Sequence, residues 1–189
     1  SDEGEILVKG PQVMVGYYRN EEATREAFTG DGFLKTGDTG EFDAEGNLKI
    51  TGRIKDLIIT SGGKNIAPQN IEGSLLRSMY INQVAVVGDG KKYLSALIVP
   101  AFDVLEPWAK ENGVESIGRS GLLGHEKIKA LYEAQIKEKT REYGQVEQIK
   151  KFTLLENEWK QETGELTPTL KLKRRVIVSK YADVINQMY

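Results

Sequence analysis

With 189 residues, 39% of them hydrophobic and 29% charged, the chain can bury roughly 70% of its unfolded surface, so it needs no metal or disulfide staples to fold. It has no cysteine, which removes zinc ribbons, iron–sulfur clusters, thiol nucleophiles and disulfide frameworks and fits a reducing compartment. The single histidine, His125, leaves one base for any Ser-His-Asp triad and excludes a histidine-rich metal site. No apolar run approaches the ~18–20 residues of a membrane-spanning helix, and the acidic start Ser1, Asp2, Glu3, Gly4, Glu5 is the opposite of a signal peptide, so the chain reads as cytoplasmic.

Residues 4–52 are strand-and-turn sequence, with strands expected over 5–9, 13–18, 33–36 and 48–51 and turns at Gly10-Pro11, Gly30-Asp31-Gly32 and Ala44-Glu45-Gly46-Asn47. A short helix over 21–28 interrupts them, capped by Asn20 and opened by acids as the helix dipole prefers. From Ile54 the texture becomes mixed. A strand over 57–60 leads into a glycine loop and a helix over 68–79, where Ile71, Leu75 and Met79 recur at four-residue spacing. A hairpin of 83–87 and 94–99 follows, joined by Gly88-Asp89-Gly90-Lys91. Residues 102–150 read as charged helices over 104–112 and 125–143, the latter striped by Ile128, Leu131, Tyr132, Ile136 and Tyr143. A strand over 152–155 and a closing helix over 174–187, with Val176, Ile177 and Val184 toward the core, complete the chain. No Pro/Gly/Ser linker marks the change near Gly52–Ile54, which suggests a short hinge there.

The net charge of −2 hides an asymmetry: residues 1–60 carry 7 lysines and arginines against 12 acids, and the remainder 19 against 16. Lys171, Lys173, Arg174, Arg175 and Lys180 cluster between 169 and 181 with no acid among them, and such a cluster wants an anion. The slightly acidic chain and the lack of interleaved aromatics argue against nucleic acid, and a small phosphate-bearing ligand needs fewer charges.

Four segments carry chemistry. In Lys35-Thr36-Gly37-Asp38-Thr39-Gly40 an ionised Asp framed by glycines is either a turn residue or an acceptor for the two hydroxyls of a sugar diol. Gly52-Arg53-Ile54-Lys55-Asp56 is a charged knot, readable as an exposed turn with a local ion pair. Thr60-Ser61-Gly62-Gly63-Lys64 lies between a strand and a helix begun by Pro68, without the spacing of a P-loop. The fourth, Gly164 to Arg175, places Lys171 on a loop before a helix, either within reach of an anion or on a solvated basic face.

Taken in order, these segments resemble the C-terminal motif series of the acyl-adenylate-forming enzymes, the superfamily of acyl-CoA synthetases, luciferases and peptide-synthetase adenylation domains. Residues 4–10 with Val15-Gly16-Tyr17-Tyr18 resemble the family's strand pair before the nucleotide site, 33–38 its ribose-binding motif, 52–72 its hinge and glycine loop, and 169–175 its final catalytic-lysine motif. The resemblance implies an α+β fold in which 1–52 end the β-rich part of a large N-terminal AMP-binding domain and 53–189 form a mobile C-terminal lid with a sheet flanked by helices. It implies that Asp38 accepts the ribose hydroxyls of ATP, that Arg53 reinforces the same sugar and that Lys55 is the hinge residue. Gly62 and Gly63 would let pantetheine of coenzyme A pass beside the backbone. Lys171 would neutralise charge on the α-phosphate and the attacking carboxylate. Magnesium would accompany ATP, with no ligand for it evident in these residues.

Two departures point to a branch. Thr169-Leu170 replaces the usual Ser-Gly before the lysine, and the helical insertion between 102 and 150 is long. Both resemble the long-chain fatty acyl-CoA synthetases, in common with the run Leu166-Thr167-Pro168-Thr169-Leu170-Lys171-Leu172-Lys173-Arg174. The expected substrates are a fatty acid, ATP and coenzyme A, the expected partner is the protein's own N-terminal domain, and peripheral membrane contact is left open. The phosphate loop and acyl tunnel of the family are not in 1–189, so the chain is expected to be a fragment and inactive in isolation. Other acid–thiol ligases of the superfamily, or a binding module that has lost the reaction, are the alternatives.

Overall fold

A computed structural model describes residues 1, 4–115 and 118–189; Asp2 and Glu3 of the acidic start, and residues 116–117, lie outside the described set. The chain forms two compact units, Ser1–Leu57 and Ile58–Tyr189. The fold is mixed α+β, with small sheets flanked by helices.

The first unit is an antiparallel sheet of β1 (Glu5–Val8), β2 (Leu34–Phe42) and β3 (Leu48–Arg53), with α1 (Glu21–Ala27) between β1 and β2. Asn20 caps α1 as expected, its side chain accepting the Ala23 N–H at 3.0 Å. The strand expected over 13–18 does not form. That stretch is turn and coil, with Val15 and Tyr18 wholly or largely exposed and Tyr17 N–H tied instead to Thr24 Oγ1 at 2.9 Å. β2 runs on past Thr36 because Gly37 adopts φ +74°, a left-handed value that lets the strand kink and continue through Asp38. The unit closes with a 3-10 turn, Ile54–Asp56. The texture of the sequence changes at Gly52–Ile54, whereas the compact units part between Leu57 and Ile58, since Arg53 still pairs across β2.

In the second unit β4 (Ile58–Ile59) and β5 (Asn65–Ile66) form a small hairpin around the glycine loop. α2 (Pro68–Leu75) follows, then β6 (Ile81–Val87) and β7 (Leu94–Pro100), antiparallel to each other. α3 (Phe102–Glu111), α4 (Gly118–Gly124) and α5 (Glu126–Lys139) lead to β8 (Ile149–Leu154), which lies parallel to β7, so β7 is the centre of the sheet. α6 (Arg174–Lys180) and α7 (Ala182–Gln187) end the chain.

β6 and β7 read as continuous apolar runs because both faces of this sheet are covered. Val84, Val86, Leu94, Ala96 and Ile98 face α2, α3, α4 and α5, in a core with Ile71, Leu105, Ile128 and Tyr132. Ala85, Val87, Leu97 and Val99, the alternate residues, face a second core of Trp159, Leu166, Ile177 and Ile185.

Several helix limits differ from expectation. α2 stops at Leu75 and Met79 is exposed, because Ser78 leaves the helix to donate its hydroxyl to Gln135 Oε1 at 2.6 Å. α5 stops at Lys139, and Tyr143 sits in the following turn with its hydroxyl on Asn70 O at 2.8 Å. The single closing helix is two, broken at Tyr181; Ile177 is buried, Val176 is exposed and Val184 is half-buried. α4 was not anticipated from its glycine-rich sequence, Gly118 to Gly124.

Candidate functional site

Asp38 and Arg53 are directly opposed in the β2–β3 ladder, and Arg53 Nε donates to Asp38 Oδ1 at 2.9 Å. Opposed side chains on one sheet face lie close enough to pair without distorting the backbone. The Arg53 side chain is 67% exposed and that of Asp38 33%, and ion pairs this open contribute about 0–1 kcal/mol. The pair therefore adds little to stability but holds a carboxylate and a guanidinium side by side on an accessible strand. Two residues of the motif region fix it to β1. Thr36 Oγ1 donates to Ile6 O at 2.8 Å and accepts the Asp38 N–H at 3.1 Å, and Glu5 Oε1 accepts the Gly37 N–H at 2.9 Å. Glu5 was not singled out by sequence; its role depends on a contact 32 residues away.

Lys55 lies at the centre of the 3-10 turn, exposed, three residues before the boundary between the units.

The glycine loop is built on the β6–β7 turn. Ser61 N–H donates to Lys91 O at 2.9 Å, Gly90 N–H to Ile59 O at 2.8 Å, and Asp89 Oδ1 accepts the Ile59 N–H at 3.0 Å. Internally, Thr60 N–H donates to Lys64 O at 3.1 Å and Gly63 N–H to Thr60 O at 2.9 Å. The two glycines differ. Gly63 has φ +74° and is glycine for conformational reasons, whereas a Cβ on Gly62 would meet only Thr60 Oγ1, at 3.9 Å. Among the described residues, nothing demands glycine at position 62.

Lys171 is not on a loose loop. Leu170 N–H donates to Thr167 O at 2.9 Å and Thr167 N–H to Lys171 O at 2.8 Å, so Pro168, Thr169 and Leu170 form a three-residue hairpin loop, with Leu170 in the left-handed region at φ 59°. Leu166 pairs with Leu172 across it, and Lys171 N–H donates to Thr167 Oγ1 at 3.0 Å. The Lys171 side chain is exposed and joins no ion pair among the described residues.

The basic cluster around Lys171 divides in two. Arg174 Nη2 forks onto both carboxylate oxygens of Glu72, at 2.7 and 2.8 Å, while Nη1 donates to Val86 O at 2.7 Å and Glu72 Oε1 accepts the Val86 N–H at 2.7 Å. This buried pair satisfies the outer backbone of β6, an edge strand of its sheet. Lys180 pairs with the buried Glu165. Two of the cations thus hold carboxylates of this chain, one of them Glu72, 102 residues from Arg174, which the basic cluster alone did not foretell. Among the described residues no group of three or more His, Asp or Glu side chains could hold a metal, and no helix is long and apolar enough to cross a membrane.

Residues 55–189 match the family model of the AMP-binding enzyme C-terminal domain, and the chain belongs to that family. The long-chain-fatty-acid–CoA ligase FadD15 of Mycobacterium tuberculosis is 43% identical over 190 residues, covering 100% of this chain and 32% of its own length. The long-chain-fatty-acid–CoA ligase ACSBG1 of Bos taurus is 37% identical over 209 residues, covering 98% of this chain and 28% of its own length. The chain spans about a third of the length of the curated relatives it matches. Among solved structures, the adenylation domain of the carboxylate reductase from Mycobacterium chelonae superimposes with a TM-score of 0.81 at 25% identity, over 98% of this chain and 27% of that one. The O-succinylbenzoate coenzyme A synthetase of Bacillus subtilis, in complex with AMP, does so with a TM-score of 0.58 at 29% identity, over 90% of this chain and 29% of that one.

Proposed function

We propose that this chain serves as the C-terminal portion of an AMP-forming long-chain fatty acid–CoA ligase. The observation that carries the reading is the 43% identity, running through the whole chain, to a long-chain-fatty-acid–CoA ligase. In the first half-reaction a carboxylate oxygen of the fatty acid attacks the α-phosphorus of ATP in line, and pyrophosphate leaves. In the second the thiolate of coenzyme A attacks the acyl carbon of the adenylate, AMP leaves, and acyl-CoA is formed.

The accessible Asp38 carboxylate suits the ribose hydroxyls of ATP, and Arg53, already bonded to it, holds it oriented. Lys171, standing on a braced hairpin with its side chain exposed, suits a cation brought to the α-phosphate once carboxylate and ATP are in place. Gly62, where the fold itself has no need of glycine, is the better of the two loop positions for a passing pantetheine, and Gly63 shapes the loop. Magnesium would accompany ATP and offset its phosphate charge; among the described residues no group of carboxylates would hold it. The N-terminal domain of the same protein would supply the remaining nucleotide contacts and the acyl tunnel, and the setting would be the cytoplasm.

Lys171→Ala in the full-length protein tests the assignment. Acyl-adenylate formation, followed by pyrophosphate release, should fall about 10²–10³-fold, as removal of one preorganised charge donor does elsewhere. Thioester formation from supplied acyl-adenylate should survive, and equal loss in both steps would refute the role. The likeness to the carboxylate-reductase adenylation domain supports a second reading, an adenylating enzyme that hands its acyl group to another acceptor. Acyl-CoA formed from free coenzyme A would exclude it.

A further inference from the structure

The hairpin that carries Lys171 begins at Glu165, and this one residue holds both ends of α6. Its backbone C=O accepts the N–H of Lys173, immediately before the helix, at 2.7 Å. Its carboxylate, only 2% exposed, pairs with the ammonium of Lys180, the last residue of the helix. At the start of α6, Arg174 is forked onto Glu72 and bonded to Val86 O, so the helix is itself fixed to α2 and β6. A continuous chain of bonds therefore runs from the central sheet through α6 to the base of the lysine hairpin. Two links join α6 to the base of the hairpin at Glu165: its backbone bond to Lys173 and its ion pair with Lys180.

Burial alone would push the Glu165 carboxyl upward, but the Lys180 ammonium, the Thr163 hydroxyl and a backbone bond together bring it below the ordinary carboxylate value. The pair is thus ionised at neutral pH. The Lys180 side chain is 46% exposed, so losing its partner would leave it solvated rather than stranded.

We propose that Glu165 is a positioning residue: through its ion pair with Lys180 it sets the orientation in which the hairpin presents Lys171. The inference rests on the reading of Lys171 given above. A pair that serves only packing would weaken the domain as a whole, and with it both half-reactions. A pair that aims Lys171 matters to adenylation alone, where a misplacement of about 1 Å costs on the order of 10²-fold.

Glu165→Gln in the full-length protein, assayed for each half-reaction with a melting curve on the same preparation, separates the two. Adenylation kcat should fall about ten- to a hundred-fold, with KM for ATP within about twofold of the unmodified protein. Thioester formation from supplied acyl-adenylate should stay within the same margin. Adenylation within twofold of the parent, or both steps falling in proportion, would overturn the proposal. If Glu165→Gln melts too low to assay, Glu165→Gln/Lys180→Met removes both charges, leaves no stranded ion, and is judged by the same criteria. Lys171→Ala, run alongside, distinguishes the levels. Intact adenylation in Lys171→Ala removes the reading of the lysine and this inference with it, whereas a collapse there beside a normal Glu165→Gln refutes the positioning role alone.

Discussion

Leu170 occupies the left-handed backbone region at φ 59°, and its side chain is 69% exposed, so it holds that conformation without packing in return. The three-residue hairpin loop requires φ above zero at this place, where glycine is the usual solution. A left-handed L-residue costs about 1–2 kcal/mol, and glycine gives back about 0.4–1 kcal/mol through its freer unfolded chain. Leu170→Gly should therefore raise stability by about 0.5–1 kcal/mol in a denaturant titration, and a clear loss would show that the leucine side chain contributes something the exposed conformation does not suggest. The position was legible in the sequence as a departure from the Ser-Gly of the family; its cause, a hairpin rather than an open loop, was not. For Asp38 and Arg53 the family resemblance implied a shared nucleotide sugar, while their direct pairing awaited the β2–β3 register. Glu165 and Glu72 lie inside named motifs, but their ion-pair roles had no signature there. An acid 15 residues from one partner, or 102 from the other, leaves no local pattern to read.

At the scale of elements, the 3-10 turn Ile54–Asp56 is closed by a long backbone bond, Leu57 N–H to Ile54 O at 3.3 Å, and carries the exposed Lys55 at its centre. Short element ends of this kind absorb large φ/ψ changes at little cost. Proline at position 55 restricts φ there and disfavours helical ψ at Ile54, while the first turn of a helix tolerates its missing N–H. If the second unit must turn between half-reactions, Lys55→Pro should leave adenylation nearly intact and reduce thioester formation steeply, as separate assays of pyrophosphate and acyl-CoA would record. A variant equally active in both steps would remove Lys55 as a hinge. Elements themselves were read well where one period dominated. β6, β7 and α1 lie close to their expected limits; α2 and α5 fall short of theirs, because apolar spacing continues past the residue where a side chain turns back onto the backbone or a neighbour, and the closing helix keeps its limits but breaks at Tyr181. The stretch 13–18 shows the converse, an apolar run with no strand to pair with in this sheet.

At the scale of the molecule, both buried cores belong to Ile58–Tyr189, one on each face of the β6–β7–β8 sheet, while the first unit buries almost no side chain completely. Residues 58–189 expressed alone should consequently unfold in one cooperative transition, with the fluorescence of the buried Trp159 and the far-ultraviolet signal of the helices changing together. Two separated transitions would mean that the two cores are independent. The order of the sheet has a kinetic consequence as well. β6 and β7 are joined by a short turn, and hairpins of this kind close in about 1–10 μs. β8 cannot add to β7 until α3, α4 and α5 have been made and folded back. At about 5–20 residues per second, a translating ribosome leaves the far edge of β7, an almost wholly apolar strand, open for a matter of seconds. In that interval the strand is a template for any other nascent chain, so yield in the cell should depend on chaperone capacity and on slow synthesis through α3–α5 more than on the stability of the finished domain.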